Sequence, residues 1–177
     1  MNNRGEYSVR ISGLKDGVHE FRFDIGNSFF KRLDYPDISG GSIHIIVKLE
    51  KKPGILTLTF LLKGAVNIVC DRCLDEFSQD ITVNETMYVK FGEDDGEINE
   101  NIITVRQEEH EIIIDQFLLE FIILALPLKR IHPDQEDGES GCNKEMMDKL
   151  KEHLVKEENK KNDPRWDDLK KLIEKSN

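Results

Sequence analysis

Runs of β-branched and aromatic residues, in partial alternation with polar ones, dominate the first 110 residues of the chain. The longest run covers residues 55–69, and clusters of Gly, Pro, Asp and Asn separate it from its neighbours. Short runs bounded by turn residues predict the strands of an antiparallel sheet. Gly64 interrupts the longest run, which predicts a bend or bulge there. The other predicted strands cover residues 7–14, 18–25, 42–51, 81–91 and 101–105.

Helical patterns follow the strand-like part. One short helix is expected earlier, over residues 27–34. The main one is expected to run from Asp115, as its N-cap, to about Leu126, because Pro127 prevents continuation. Nearly every face of this helix is apolar, so we expect it to be buried against the sheet. The predicted fold class is α+β: a curled, mostly antiparallel sheet or partial barrel with one buried helix and C-terminal helices.

The C-terminal part is predicted to be a helical tail, residues 143–177, attached to a β-rich domain of residues 1–142. Asn143 can cap a first helix, and a second can begin at Asp163 with Pro164 in its first turn. Trp166, Leu169 and Ile173 form an apolar stripe on that second helix. Because so short a helix is marginal in isolation, the stripe must dock either on its own domain or on a partner.

Charge is distributed unevenly along the chain. The net charge is −10, and residues 73–133 carry 14 acidic and 4 basic residues, whereas residues 1–72 carry 11 basic and 8 acidic ones. This balance argues against extensive contact with duplex nucleic acid and leaves RNA binding only to a local patch. The most acidic segment, residues 92–100, predicts a solvated loop.

Two observations favour the cytoplasm. The first thirty residues lack the pattern of a secretory signal, and three cysteines are an odd number for a disulfide-bonded protein. The longest apolar stretch, residues 117–128, contains Glu120 and is shorter than the roughly 20 residues that cross a bilayer. We therefore expect no membrane association and free or metal-bound thiols.

The cysteines carry the clearest candidate chemistry. Cys70 and Cys73 form a CxxC pair, which suits a tetrahedral zinc ion, a dithiol/disulfide couple or no chemical role at all. Cys142 and His132 share a turn-rich loop that could fold back over the pair and complete a structural Cys3His zinc site. The remaining histidines, His19, His44, His110 and His153, are expected at the surface or at the edge of the core.

The redox alternative is less well supported by the local pattern. A reactive CxxC pair usually precedes a helix, whose N-terminus lowers a thiol pKa. Here the pair is followed by what reads as a turn into another strand, with acidic residues that would raise the pKa. The chain contains no P-loop, G-x-S-x-G or H-E-x-x-H motif. A cysteine-dependent enzyme, including one with a catalytic Cys/His dyad, stays open as an alternative that no such motif supports.

Four phrases in this order resemble one family. They are CDRCLDEF at residues 70–77, EIIIDQFLLEFIILALPL at 111–128, the loop from His132 to Cys142, and DPRWDDLKKL at 163–172. Together they resemble the YceD family, the large ribosomal RNA subunit accumulation proteins. Many bacterial relatives have more cysteines after the LPL segment than this chain has.

The resemblance implies a cytoplasmic, non-enzymatic factor that supports the synthesis, processing or stability of large-subunit ribosomal RNA. The implied partner is a ribosomal protein or a large-subunit assembly intermediate, with direct RNA contact left open and no small-molecule substrate. The acidic middle of the chain favours a basic ribosomal protein as the direct contact.

Overall fold

The structure, a computed structural model, describes residues 6–33, 35–92, 96–99, 101–134, 138 and 140–154. The chain divides into two compact units, Met1–Cys142 and Asn143–Asn177. The predicted helix that carries Trp166, Leu169 and Ile173 lies outside the described residues.

The described residues of the larger unit form eight strands and two helices. The strands are β1 (Ser8–Arg10), β2 (Gly17–Ile25), β3 (Ile38–Lys52), β4 (Ile55–Val69), β5 (Glu76–Gly92), β6 (Gly96–Asn99), β7 (Ile102–Arg106) and β8 (Glu111–Ile113). The helices are α1 (Asn27–Leu33), which confirms the predicted short helix, and α2 (Asp115–Ala125).

Six strands form one curled sheet in the order β2-β3-β4-β5-β7-β6, while β1 and β8 pair separately. Every neighbouring pair is antiparallel except β5 and β7, which are parallel. The edge strands β2 and β6 do not pair with each other in the described part of the chain, so the sheet is open. The prediction of an α+β fold with a curled, mostly antiparallel sheet is confirmed.

The core lies on one face of this sheet. Alternate residues of β4 point into it, so Leu58 and Phe60 are fully buried. Helix α2 packs on the same side, with the Phe121 ring 5.2 Å from that of Phe60. Truncating a ring such as that of Phe60 to alanine typically costs about 3–5 kcal/mol. The helix is buried on one side only, because Leu124 on its outer side is 81% exposed.

Two local predictions were wrong. The bulge predicted at Gly64 is not there, because its pairing with Ile43 and Ile81 continues in register, and the register shifts among the described strands lie between Ile38 and Gly40 and between Glu97 and Asn99. A Cβ at Gly64 would collide with the backbone oxygen of Ser42, so the glycine permits close approach of two strands. The acidic segment contains strand β6 rather than only a loop, because its backbone pairs with β7.

The predicted N-cap of α2 was also wrong. The N-cap is Ile114, without a side-chain hydrogen bond, and Asp115 is the first helical residue. Its buried carboxylate instead accepts hydrogen bonds from the backbone N–H of Tyr7 at 2.8 Å and of Glu6 at 3.1 Å. Arg32 Nη2 lies 2.7 Å from Oδ2 without hydrogen-bond alignment, so that contact is an ion pair. The Asp115 side chain therefore makes contacts that are distant in the sequence and does not cap its own helix.

The second unit begins with helix α3 (Lys144–His153). The Asn143 side chain accepts hydrogen bonds from the backbone N–H groups of Glu145 and Met146, which confirms the predicted cap. None of the helices in the described part of the chain has the length and apolarity needed to span a bilayer.

Candidate metal centre

The CxxC pair lies in the tight turn between β4 and β5, as the sequence pattern indicated. Cys70 directly follows β4, and its backbone N–H and C=O bond to Asp75 and Leu74 at 2.9 and 3.0 Å. Leu74 has a φ of 62°, a conformation that non-glycine residues seldom adopt. The turn leaves Leu74 exposed while both thiols are buried, Cys70 at 0% and Cys73 at 1% exposure.

The second half of the centre comes from the loop after α2. His132 and Cys142 are ten positions apart, which is wide for a pair of metal ligands. An antiparallel bridge between Asp134 and Ser140 closes this loop on itself. This bridge places Cys142 beside His132 although the two residues are ten positions apart in the sequence.

The four predicted ligand residues meet at one point. Cys70 Sγ lies 3.8 Å from Cys142 Sγ, and Cys73 Sγ lies 3.4 Å from His132 Nδ1. The donor atoms of all four residues are within 4.8 Å of one another, and the three cysteines are buried while His132 is half-buried. Such a cluster could hold a metal ion. The chain offers three sulfur atoms and one nitrogen atom, all directed at the same small volume.

The remaining histidines do not join the cluster. His44 pairs with Asp24 across β2 and β3, and the His19 ring contacts the backbone oxygen of Lys15. His110 and His153 are exposed. This agrees with the surface or core-edge positions expected for all four.

Residues that the sequence did not single out hold the two loops together. The Asp71 backbone N–H donates to the Arg130 carbonyl at 2.7 Å, and the Arg130 N–H donates back to Asp71 Oδ2 at 2.8 Å. The Arg130 guanidinium also donates to Asp37 Oδ2 at 2.9 Å. This clasp, Asp71, Arg130 and Asp37, fixes the CxxC turn against the segment that leads into His132. Nothing in the sequence marked it, since the first two residues are 59 positions apart.

The His132 ring is oriented by packing. It lies against the ring of Phe77 on β5, with centroids 4.7 Å apart and planes inclined by 35°. In this orientation the Nδ1 atom of the ring faces the Cys73 thiol. Phe77 therefore limits the rotation of the His132 ring, the one nitrogen donor of the cluster.

The thiols differ in acidity. Burial opposes ionisation of Cys70, but backbone N–H groups of Cys73, Arg72 and His132, together with the His132 side chain, lower the pKa of Cys70 to about 6. Burial raises the pKa of Cys142, against a lowering contribution from the Ser140 hydroxyl. The expectation that nearby acidic residues would raise the thiol pKa is therefore wrong for Cys70. Hydrogen bonds from the backbone of the turn and from His132 outweigh burial, the influence that raises this pKa.

Comparison with known proteins assigns the chain to a family. A family model described as "Large ribosomal RNA subunit accumulation protein YceD" matches residues 58–173, which include the four residues of the cluster. Searches of curated proteins and of solved structures find no match. The matched segment spans most of the chain, from within β4 through α2 and α3, so the chain belongs to the YceD family.

Proposed function

We propose that this protein is a non-enzymatic accessory factor in the biogenesis of the large ribosomal subunit, supporting the synthesis, processing or stability of its ribosomal RNA. The observation that carries the proposal is the family match over residues 58–173. It acts in the cytoplasm, where three unpaired thiols remain reduced. Its partner is a ribosomal protein or an assembly intermediate of the subunit.

We propose in addition that the cysteine cluster binds one structural zinc ion. Three sulfurs and one imidazole form a donor set that zinc prefers. In a regular zinc tetrahedron, the usual bond lengths place two sulfurs about 3.8 Å apart and a sulfur and a nitrogen about 3.5 Å apart. The distances of 3.8 Å from Cys70 to Cys142 and 3.4 Å from Cys73 to His132 match these two edges.

Such a site has a structural role because its four protein ligands close the coordination shell. A catalytic zinc keeps a position open for water or substrate. Zinc would join the β4–β5 turn to the loop after α2, and it would favour the folded form, in which alone the ligands are assembled. The low pKa of Cys70 supports the thiolate that a metal requires.

The redox alternative receives less support. A dithiol that exchanges with other proteins needs an accessible sulfur, and both sulfurs of the CxxC pair belong to side chains at most 1% exposed. The lowered pKa of Cys70 serves metal binding as well as it would serve thiol exchange. Burial therefore favours the structural role.

The apolar stripe of Trp166, Leu169 and Ile173 remains a proposed partner contact. Truncation before Asn162 separates its two docking modes. Retained thermal stability with loss of association with large-subunit precursors would indicate a partner contact. A clear fall in melting temperature with association unchanged would instead assign the stripe to the protein's own fold.

Sedimentation of cell extracts through a sucrose gradient tests the proposed function. The tagged full-length protein should co-migrate with precursors of the large subunit, and cells lacking it should accumulate less large-subunit than small-subunit ribosomal RNA. A matched Glu120→Gln protein, altered at an exposed helix position whose side chain accepts a hydrogen bond from Gln116, should behave like the wild type. Migration with free proteins, together with an unchanged ratio of the two RNAs, would reject the proposal.

A further inference from the structure

The face of the six-stranded sheet opposite the core is open to solvent. On β4, residues alternate between the core and this outer face, so Leu62 is 1% exposed while its neighbours Leu61 and Lys63 point the other way. Helix α2 contacts Phe60 on the core side. We define the outer face as the outward residues of β5 from Asp80 to Lys90 and those paired with them on β4, β3 and β2.

A groove of about 680 Å³ lies on this face. Half-buried Ile46 and Leu61 form its apolar floor and are directly paired across β3 and β4. The polar groups around them come from His44, Lys63, Thr82 and Asn84. The sheet therefore presents an apolar depression with positive and hydrogen-bonding groups at its margin.

The charges of the outer face leave a local positive surplus. Its acidic residues Glu20 and Glu50 pair with Arg22 and Lys52, and Asp24 contacts His44, which carries a positive charge only when protonated. Among the described residues, the side chains of Lys48, Lys63 and Lys90 have no anionic partner, and Asp24 and Asp80 are the carboxylates of the face without a Lys or Arg partner. Three lysines against two carboxylates leave a local positive surplus even with His44 neutral, in a chain of net charge −10.

The three lysines are spread along the sheet. Lys63 pairs with Thr82, Lys48 lies in the row of Thr59 and Thr86, and Lys90 is itself on β5. Successive rows are four residues apart, so the cations span about 27 Å along the strand direction. This spacing suits an extended polyanion better than a single phosphate group.

The remaining outward side chains favour RNA over an acidic protein. Hydroxyl and amide groups of this kind commonly contact phosphate and sugar oxygens. Tyr88, 41% exposed, offers a ring on which a base can stack. Lysine, by contrast, is depleted in the cores of protein–protein interfaces. The polar uncharged residues of the face are Thr57, Thr59, Thr82, Asn84 and Thr86.

We propose that the outer face binds single-stranded RNA, with Lys48, Lys63 and Lys90 contacting phosphates and Tyr88 stacking on a base. The inference rests on the proposed function and adds a direct contact between this chain and RNA. An apolar groove beside Lys63 would accept the face of a second base.

Fluorescence anisotropy with a labelled single-stranded RNA of about 16 nucleotides tests the proposal on the full chain. Three phosphate contacts predict that the logarithm of the binding constant falls against the logarithm of salt concentration with a slope of about −2. A Lys48→Gln/Lys63→Gln/Lys90→Gln variant should bind at least about tenfold more weakly in low salt, with a slope near zero. A Tyr88→Ala variant should lose about tenfold in affinity and keep the slope.

A matched control carries the same charge change elsewhere. Lys15→Gln/Lys31→Gln/Lys129→Gln alters three exposed lysines that lie off the outer face, and it should bind RNA with the wild-type slope. Thermal melting should show that all variants remain folded. Absence of RNA binding by the wild type, or equal slopes for the two triple variants, would overturn the proposal. The proposal would also be overturned if a purified ribosomal protein bound the wild type and the outer-face variant lost binding to that protein while it kept binding to RNA.

The gradient experiment keeps this proposal separate from the proposed function. A wild-type protein that co-migrates with large-subunit precursors but binds no RNA would reject the RNA face and leave the assembly role standing. A protein that binds RNA through the three lysines without joining precursors would support the face and reject the assembly role.

Discussion

Two polar centres hold distant parts of the larger unit together. They differ in whether the chain itself supplies the positive charge that the centre binds. In the first, the Asp115 centre, backbone N–H groups of Glu6 and Tyr7 and the Arg32 guanidinium surround one carboxylate. In the second, the thiol centre, Cys70, Cys73, His132 and Cys142 face one another. The carboxylate finds its cation within the chain, whereas three thiols and an imidazole offer only donor atoms for a cation. The first centre should therefore be independent of metal, and the second should depend on it.

The largest expected effect is at the Asp115 centre. An Asp115→Ala substitution would remove the acceptor of two backbone N–H groups and the nearer ion-pair partner of Arg32, which would keep a longer contact with Glu6 at 3.7 Å, at a residue that is 6% exposed. Removing one member of a buried ion pair commonly costs about 3 kcal/mol or more. Urea unfolding should show a loss of this size, and the same loss should appear with and without a chelator.

Asp115→Asn provides the control, because it keeps an acceptor oxygen and removes the charge. It should destabilise the protein less than Asp115→Ala does. A loss below about 1 kcal/mol for the alanine variant would contradict the assigned role. A loss that appears only in metal-loaded protein would contradict the contrast between the centres.

A smaller effect is expected where the clasp supports the thiol centre. Asp71→Ala removes the acceptor of the Arg130 N–H and should lower the free energy of unfolding by about 1 kcal/mol. Because the CxxC turn is then less firmly held against the His132 segment, metal should be lost to a chelator faster than from the wild type. The release can be followed with a chromogenic zinc indicator.

Asp80→Ala is the matched control for that variant, since it removes an exposed aspartate of β5 outside the clasp. Its rate of metal release should equal that of the wild type. Equal rates for Asp71→Ala and the wild type would show that the clasp does not position the ligands.

A pH dependence is expected for the metal-free protein. The folded-state pKa of Cys70 is about 6, below the ordinary thiol value of 9.0, so the favoured species is the thiolate. Its stabilising contribution is complete above pH 9 and is lost as the pH falls toward 6. The pKa of Cys142 is raised by burial, so its ionisation changes the stability only above its ordinary value and not between pH 6 and 9. The free energy of unfolding should therefore rise between pH 6 and 8.5.

Cys70→Ser tests that assignment, because serine cannot ionise in this range. The metal-free variant should show a flatter dependence on pH than the metal-free wild type. Parallel curves for the two proteins would indicate that Cys70 is not the group responsible.

Sequence periodicity predicted the long strands, whose alternation reflects one buried and one exposed face. It missed β6 and β8, which are four and three residues long and are defined by backbone pairing with β7 and β1. Pairing of this kind depends on neighbours distant in the sequence and leaves little local pattern. Asp115 was misassigned for a similar reason. An aspartate just before an apolar helical segment gives the same sequence pattern whether it caps the helix or forms a buried ion pair.

The sequence predicted which four residues come together in the thiol centre but not the residues that hold them there. Cysteine is rare in this chain, and His132 was the histidine that shared a loop with Cys142, so donor chemistry alone selected the set. Asp71, Arg130 and Phe77 were not selected, because exposed charges and a half-buried ring are common on any strand or turn. Only the folded arrangement shows that they contact the two loops and the His132 ring.

Metal content is the most direct test of the contrast between the two centres. Elemental analysis of full-length protein purified without a chelator should find about one zinc ion per chain. Cys70→Ser and His132→Asn should lose that ion, while His153→Asn, altered at an exposed histidine outside the cluster, should keep it. Natively folded protein that contains no zinc and takes up none when it is supplied would contradict the metal centre.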